Sequence, residues 1–142
     1  MQLSKMIKVD QVVVPAGAAT TTLTSDTVDM AGYDGCLFLT DMHVANSGNY
    51  ISVQQSADDS SYAALAGTKV VCGAADQVLG VDVYRPIDRY LQCVMVRGGS
   101  STASGSIIAI QYCGQKFPID NAATTTGDVQ IETYASPAEG SI

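Results

Sequence analysis

Apolar and polar residues alternate with a period of two along most of this chain, which is the signature of half-buried strands. Lys8–Val14 is rich in β-branched residues and ends at Pro15-Ala16-Gly17, a turn signal. Ala19–Thr24 is Thr-rich and favours strand over helix. Over Gly35–Val44, residues Cys36, Phe38, Thr40, Met42 and Val44 share one face, with Leu37, Leu39, Asp41 and His43 on the other. Asn46-Ser47-Gly48-Asn49 turns the chain into Tyr50–Gln55, which groups Ile51 with Val53, and Ser56–Ser61 is a further polar turn. Val78–Tyr84 directs Leu79, Val81 and Val83 inward and Asp82 outward. Tyr90–Val96 is apolar on both faces, which predicts a strand that is central or covered on both sides. Gly98–Gly105 reads as a loop of small residues, and Ser106–Tyr112 as the next strand, with Ile108, Ile110 and Tyr112 on one side.

No stretch holds the i, i+3, i+4, i+7 spacing of an amphipathic helix for three turns, and no internal repeat is visible. Seven or eight short strands separated by turn signals predict an all-β fold: a single antiparallel β-sandwich or barrel, jelly-roll-like. The two ends differ from this middle. Residues 9–117 form the expected β-sandwich domain, with an N-terminal arm over 1–8 and an extended C-terminal arm over 118–142. After Phe117-Pro118 the chain is rich in Ala, Thr and Gly, carries Asp120, Asp128, Glu132 and Glu139, and contains no Lys or Arg. Between Ile119 and Ile142 its large apolar residues are Val129, Ile131 and Tyr134. Such a segment buries little by itself; it is either disordered or an arm lying on another chain. The alternation of Val129–Thr133 favours a strand added to a sheet edge.

With 142 residues, 46% of them apolar, the chain can bury a core. Charged residues make up 15%, well below the usual quarter, and small polar residues replace them. That surface suits packing against other protein. The net charge of −7 argues against nucleic acid, whose phosphates need clustered Lys and Arg, and against anionic membranes. No run approaches the ~18 apolar residues of a membrane helix. The first residues lack the apolar core of a secretion signal, so synthesis and folding in the cytoplasm are expected.

Candidate chemistry is sparse. Cys36, Cys72, Cys93 and Cys113 lack Cys-x-x-Cys spacing, and with one histidine they make no usual zinc set. They read as small buried hydrophobes, with a disulfide pair left open by the spacing. His43 has no nucleophile elbow to serve and reads as a strand-surface histidine. Asp58-Asp59 lacks the oxygen-ligand series of a calcium loop and reads as a solvated turn. Gly98-Gly99-Ser100-Ser101 lacks the lysine and following helix of a phosphate loop. Catalytic, cofactor-binding and metal-ligating residues are therefore expected to be none. What stands out is Val83–Gly99, which sets Arg85, Arg89 and Arg97, three of the seven basic residues, around Pro86. Proline pushes the preceding Arg85 towards extended backbone. The arginines either cover apolar surface with their stems or pair with carboxylates, within the subunit (Asp82 and Asp88 are local) or across a subunit boundary.

Four segments resemble, in order from about Val12 to Gly140, a family of small proteins encoded beside the major capsid protein of tailed bacteriophages: the head decoration, or capsid cement, proteins. They are Thr27–Asp34 before the first long strand, Val53–Ser60 as strand and turn, Val81–Pro86 with Arg89-Tyr90 and Val96-Arg97-Gly98 as a hairpin, and Glu132-Thr133 with Ser136–Gly140 as the ending. The cysteine content departs from that family. The resemblance implies a non-enzymatic β-rich subunit, commonly a homotrimer, bound to the major capsid protein on the outer surface of the phage head. It would stabilise the expanded capsid by bridging neighbouring subunits. Arg85, Arg89 and Arg97 are then expected to make ion pairs, and Val129, Ile131 and Tyr134 to dock the C-terminal arm. The competing expectations are a carbohydrate- or receptor-binding β-sandwich of a phage fibre, and a tail structural protein.

Overall fold

A computed structural model of the chain describes residues 1–121, 129–136 and 138–140. A single 3-10 turn, Leu3–Lys5, precedes twelve strands among the described residues: β1 (Lys8–Val13), β2 (Ala16–Ala19), β3 (Leu23–Thr24), β4 (Val28–Asp29), β5 (Gly35–Met42), β6 (Asn49–Ser56), β7 (Ala63–Ala64), β8 (Val70–Val71), β9 (Gln77–Tyr84), β10 (Tyr90–Arg97), β11 (Thr102–Ser104) and β12 (Ile107–Tyr112). They form two six-stranded antiparallel sheets. One runs β1-β12-β5-β11-β2, with β9 on the other side of β5. The second runs β3-β10-β6-β7, with β4 also on β10 and β8 also on β6. The expected all-β antiparallel sandwich is the observed fold.

Alternation decides the core. In β5, Cys36, Phe38, Thr40 and Met42 point inward, and in β9 Leu79 and Val81 do so opposite them. The second sheet answers with Ile51 and Val53 from β6 and Leu91, Cys93 and Met95 from β10, where Cys93 faces Val53 and Met95 faces Ile51. These side chains form one continuous cluster between the sheets.

Several expectations need correction. The Ala19–Thr24 run is not one strand: β2 belongs to the first sheet and β3 to the second, so the chain crosses between layers at Thr20–Thr22. The small-residue segment Gly98–Gly105 contains β11. β10 is central in its sheet, between β6 and the short β3 and β4, but only one of its faces is buried. Ile108, Ile110 and Tyr112 do share a side of β12, and it is the outer one; Ile107, Ala109 and Gln111 point into the core. Val44 lies beyond the end of β5 and is exposed. Cys36, Cys72 and Cys93 are buried and unbridged, as small hydrophobes should be, whereas Cys113 is exposed at a positive φ of 52° where β12 ends.

The two ends of the chain lie on each other. Ile119 N–H donates to Lys5 O at 2.9 Å. Asn121 accepts from Val9 N–H at 2.9 Å and donates to Ser4 O and Ile7 O at 2.8 and 2.9 Å. Further on, Ser4 and Thr133 hydroxyls meet at 2.8 Å, and Gln2 Nε2 donates to Tyr134 O at 3.2 Å.

Candidate functional site

The arginine-bearing segment forms a stiff corner between β9 and β10. At its start Arg85 adopts left-handed backbone, φ 51°, rather than the extended form expected before a proline. Pro86 disfavours the right-handed helical region for its predecessor, and the tertiary structure selects among what remains: Arg85 N–H donates to Asp34 O at 2.7 Å. Its guanidinium stands over its neighbour Tyr84, 5.1 Å from the ring centre. Pro86 and Ile87 follow, and Ile87 is 91% exposed. Asp88 N–H reaches Gln55 Oε1 at 3.4 Å, and Arg89 O accepts from Met30 N–H at 2.9 Å, which closes the corner onto the β4–β5 segment.

Arg89 makes the one arginine–carboxylate pair among the described residues. Its Nε and Nη2 donate to Asp29 Oδ1 and Oδ2, both at 2.8 Å. The partner is in the same subunit but is neither Asp82 nor Asp88; Asp82 instead accepts from Tyr112 OH at 2.6 Å. The two Arg89 hydrogen bonds hold the Asp29 carboxyl at about 2, well below the usual carboxylate range, with help from Ala31 N–H. Between the corner and residues 30–34 lies an open notch of about 540 Å³, lined by Met30, Tyr33, Arg85, Ile87 and Arg89 among others.

Arg97 is elsewhere and makes no ion pair among the described residues. It is the last inward-facing residue of β10 and only 2% exposed. Its guanidinium donates to Thr21 O (2.9 Å), Gly17 O (2.8 Å), Thr102 O (3.1 Å) and Thr21 Oγ1 (2.7 Å). It therefore ties the β2–β3 crossing to β11, and its burial removes it from the surface expected for it. Val129 and Ile131 are half-buried and Tyr134 is 69% exposed. Residues 129–134 make no strand in the isolated chain and follow the N-terminal turn instead of a sheet edge.

His43 sits at the surface between two carboxylates, with Nε2 2.8 Å from Asp41 and Nδ1 3.6 Å from Asp76. Among the described residues no group of three or more His, Cys, Asp or Glu is placed to hold a metal ion. Asp58 caps its turn, accepting from Ser60 and Ser61 N–H at 3.0 and 2.9 Å, and those bonds with the one from the Ser56 hydroxyl keep its carboxyl below the ordinary range. Two polar hubs escaped the sequence reading. Asn49 is fully buried and bonds Val44 O, Ser100 O and the N–H groups of Gly99 and Ser100. Asn121 clamps the N-terminal segment. Asn49 carried a signal, its place at a turn before a strand, whereas Asn121 carried none.

No protein-family model matches the sequence, and no curated protein does. Among solved structures, the chain is similar to the PBSX exported protein XepA, with a TM-score of 0.55 at 15% identity over 94% of this chain. The chain spans 45% of that protein's length. A subunit of the disulfide-linked pili of Bacillus endospore appendages is also similar, with a TM-score of 0.39 at 14% identity, covering 76% of this chain and 88% of the other. The likeness to XepA is one of fold.

Proposed function

We propose that the chain is a structural virion protein: a head decoration subunit, assembled as a homotrimer, that binds the major capsid protein on the outside of the expanded phage head. No catalysis is assigned to it. The observation that carries the reading is the corner at Arg85–Arg89. An isoleucine 91% exposed is held on a proline-stiffened turn, next to an open notch and flanked by two guanidinium groups. A rigid apolar anchor ringed by arginine is what a protein–protein hot spot requires, because little entropy is lost on docking. The ordered resemblance of the four sequence segments to the decoration family supports the phage setting, and the fold shared with XepA, itself a PBSX exported protein, is compatible with it. Clipping across capsid seams needs buried area and repeated weak contacts rather than chemistry. The C-terminal segment beyond Asn121 supplies a second contact, through Val129, Ile131 and Tyr134.

The test is binding to expanded heads stripped of the protein. Ile87→Asp is expected to weaken binding at least about tenfold while leaving the fold intact, since the side chain is 91% exposed. Truncation after Asn121 keeps the N-terminal clamp and is expected to weaken binding further. Unchanged saturation by both variants would overturn the proposal, as would a copy number suited to a tail or connector ring instead of the three-fold sites of the head.

A further inference from the structure

We infer that β9 is a docking edge for a second copy of this chain, pairing antiparallel with the same strand about a two-fold axis at Val81. The inference goes beyond the virion reading and does not depend on it.

β9 is eight residues long and pairs only with β5; among the described residues nothing pairs its other side. The phase of that free edge follows from two bonds. Arg85 N–H donates to Asp34 O, and Gly105 N–H to Asp41 O. Even-numbered residues of β5 therefore face β9, and odd-numbered residues of β9 face β5. The N–H and C=O groups of Val78, Gly80, Asp82 and Tyr84 point outward, and all four residues are exposed. Long free edges are normally guarded by lysine, proline, bulges or covering loops. The opposite edge, β1, is guarded in this way, with a register shift between Gln11 and Val13 and the Lys8–Asp10 ion pair at 2.8 Å. The peripheral strands β2, β3, β4, β7 and β8 have two to four residues each. Among the described residues β9 has none of these protections, and it carries one charge, Asp82.

Self-complementarity selects both occupant and register. Paired strands must align outward-facing residues with outward-facing residues, so even numbers meet even numbers. A two-fold at Asp82 would set Asp82 against itself, and like charges directly opposite are unfavourable. A two-fold at Gly80 would set Val78 against Asp82 and leave Tyr84 uncovered. A two-fold at Val81 sets Tyr84 against Val78 of the second copy, and Asp82 against its Gly80, twice over. It joins the two exposed large apolar residues of the strand, Val78 at 69% and Tyr84 at 57%, in aromatic–β-branched pairs.

The experiment uses the full chain in a Cys113→Ser background, which leaves the three buried thiols in place. Val78→Cys and Tyr84→Cys proteins are prepared separately, mixed and oxidised. The expected result is a cross-link in the mixture and little in either protein alone. In the parent protein, sedimentation equilibrium should give an even number of protomers, a dimer, or a hexamer where trimers also form. Amides of Gly80 and Asp82 should be protected from exchange, and Val78→Lys should weaken self-association at least about tenfold. A monomeric mass at every concentration, or cross-linking of the single variants as efficient as that of the mixture, would overturn the pairing. A trimer with freely exchanging Gly80 and Asp82 amides would also overturn it while leaving the virion reading standing. A β9-paired dimer that ignores phage heads would overturn only the latter.

Discussion

Arg89 grips Asp29 through two parallel hydrogen bonds, both 2.8 Å, between positions sixty apart in the sequence. The pair fastens the entry of β10 to β4, and with Met30 N–H on Arg89 O it fixes one side of the exposed corner. Planar two-point geometry explains why an arginine serves here where a lysine would not.

This pair predicts a specific acid response. The Arg89 hydrogen bonds place the folded-state value of Asp29 at about 2, below the ~3.9 of an unfolded chain. Its contribution to stability is therefore present in full above the unfolded value and is lost as pH falls from about 4 towards 2. Both side chains are about half exposed, so solvent screening limits that contribution to at most about 1 kcal/mol. An NMR titration of Asp29 should give a midpoint near 2, rising to the ordinary carboxylate range in Arg89→Ala. A wild-type midpoint already in the ordinary range would mean that the pair does not hold in solution.

Arg97 should behave in the opposite way. It is buried and donates to three backbone carbonyls and one hydroxyl. Arg97→Met removes the donors and leaves the carbonyl of buried Thr102 without the guanidinium, at an expected cost of about 3 kcal/mol. Arg97→Lys keeps the charge but lacks the fork that reaches three segments at once, and about 2 kcal/mol is expected. Urea unfolding of both variants measures this. A loss below about 0.5 kcal/mol for Arg97→Met would show that water replaces the guanidinium without penalty.

The contrast between these arginines shows what was readable. Counting by twos from Leu91 through Cys93 and Met95 reaches Arg97, so its inward direction was present in the pattern, although its charge suggested the surface. The long strands β5, β6, β9 and β10 were legible for the same reason, since burial on one face imposes the alternation. β4, β7 and β8 were not, because a two-residue strand has no period to detect. At Arg85 the sequence supplied half of the answer: proline excluded one backbone region, and only the bond to Asp34 O, contributed by the distant segment before β5, decided between the others. The Asp29 partner of Arg89 was likewise hidden by sequence distance. The exposure of Ile87 depends on where the corner lies relative to both sheets, which no local pattern carries.

The junction of the two chain ends gives a third prediction. Asn121 is 3% exposed, and its side-chain amide bonds Val9 N–H, Ser4 O and Ile7 O, reaching back more than a hundred positions. Asn121→Ala would leave Val9 N–H without its acceptor beside the start of β1, and a cost of roughly 1–3 kcal/mol is expected. Asn121→Asp should cost more, because it keeps the acceptor but turns two donors into a carboxylate facing the carbonyls of Ser4 and Ile7. Either change should loosen the N-terminal segment before it affects the core, since Phe38, Ile51 and Met95 lie between the sheets and away from it. Faster exchange of the Val9 amide and earlier proteolysis within Met1–Ile7, with unchanged protection of β5 and β10, are the expected outcomes. An unchanged Val9 amide in Asn121→Ala would show that the ends are held together by other contacts.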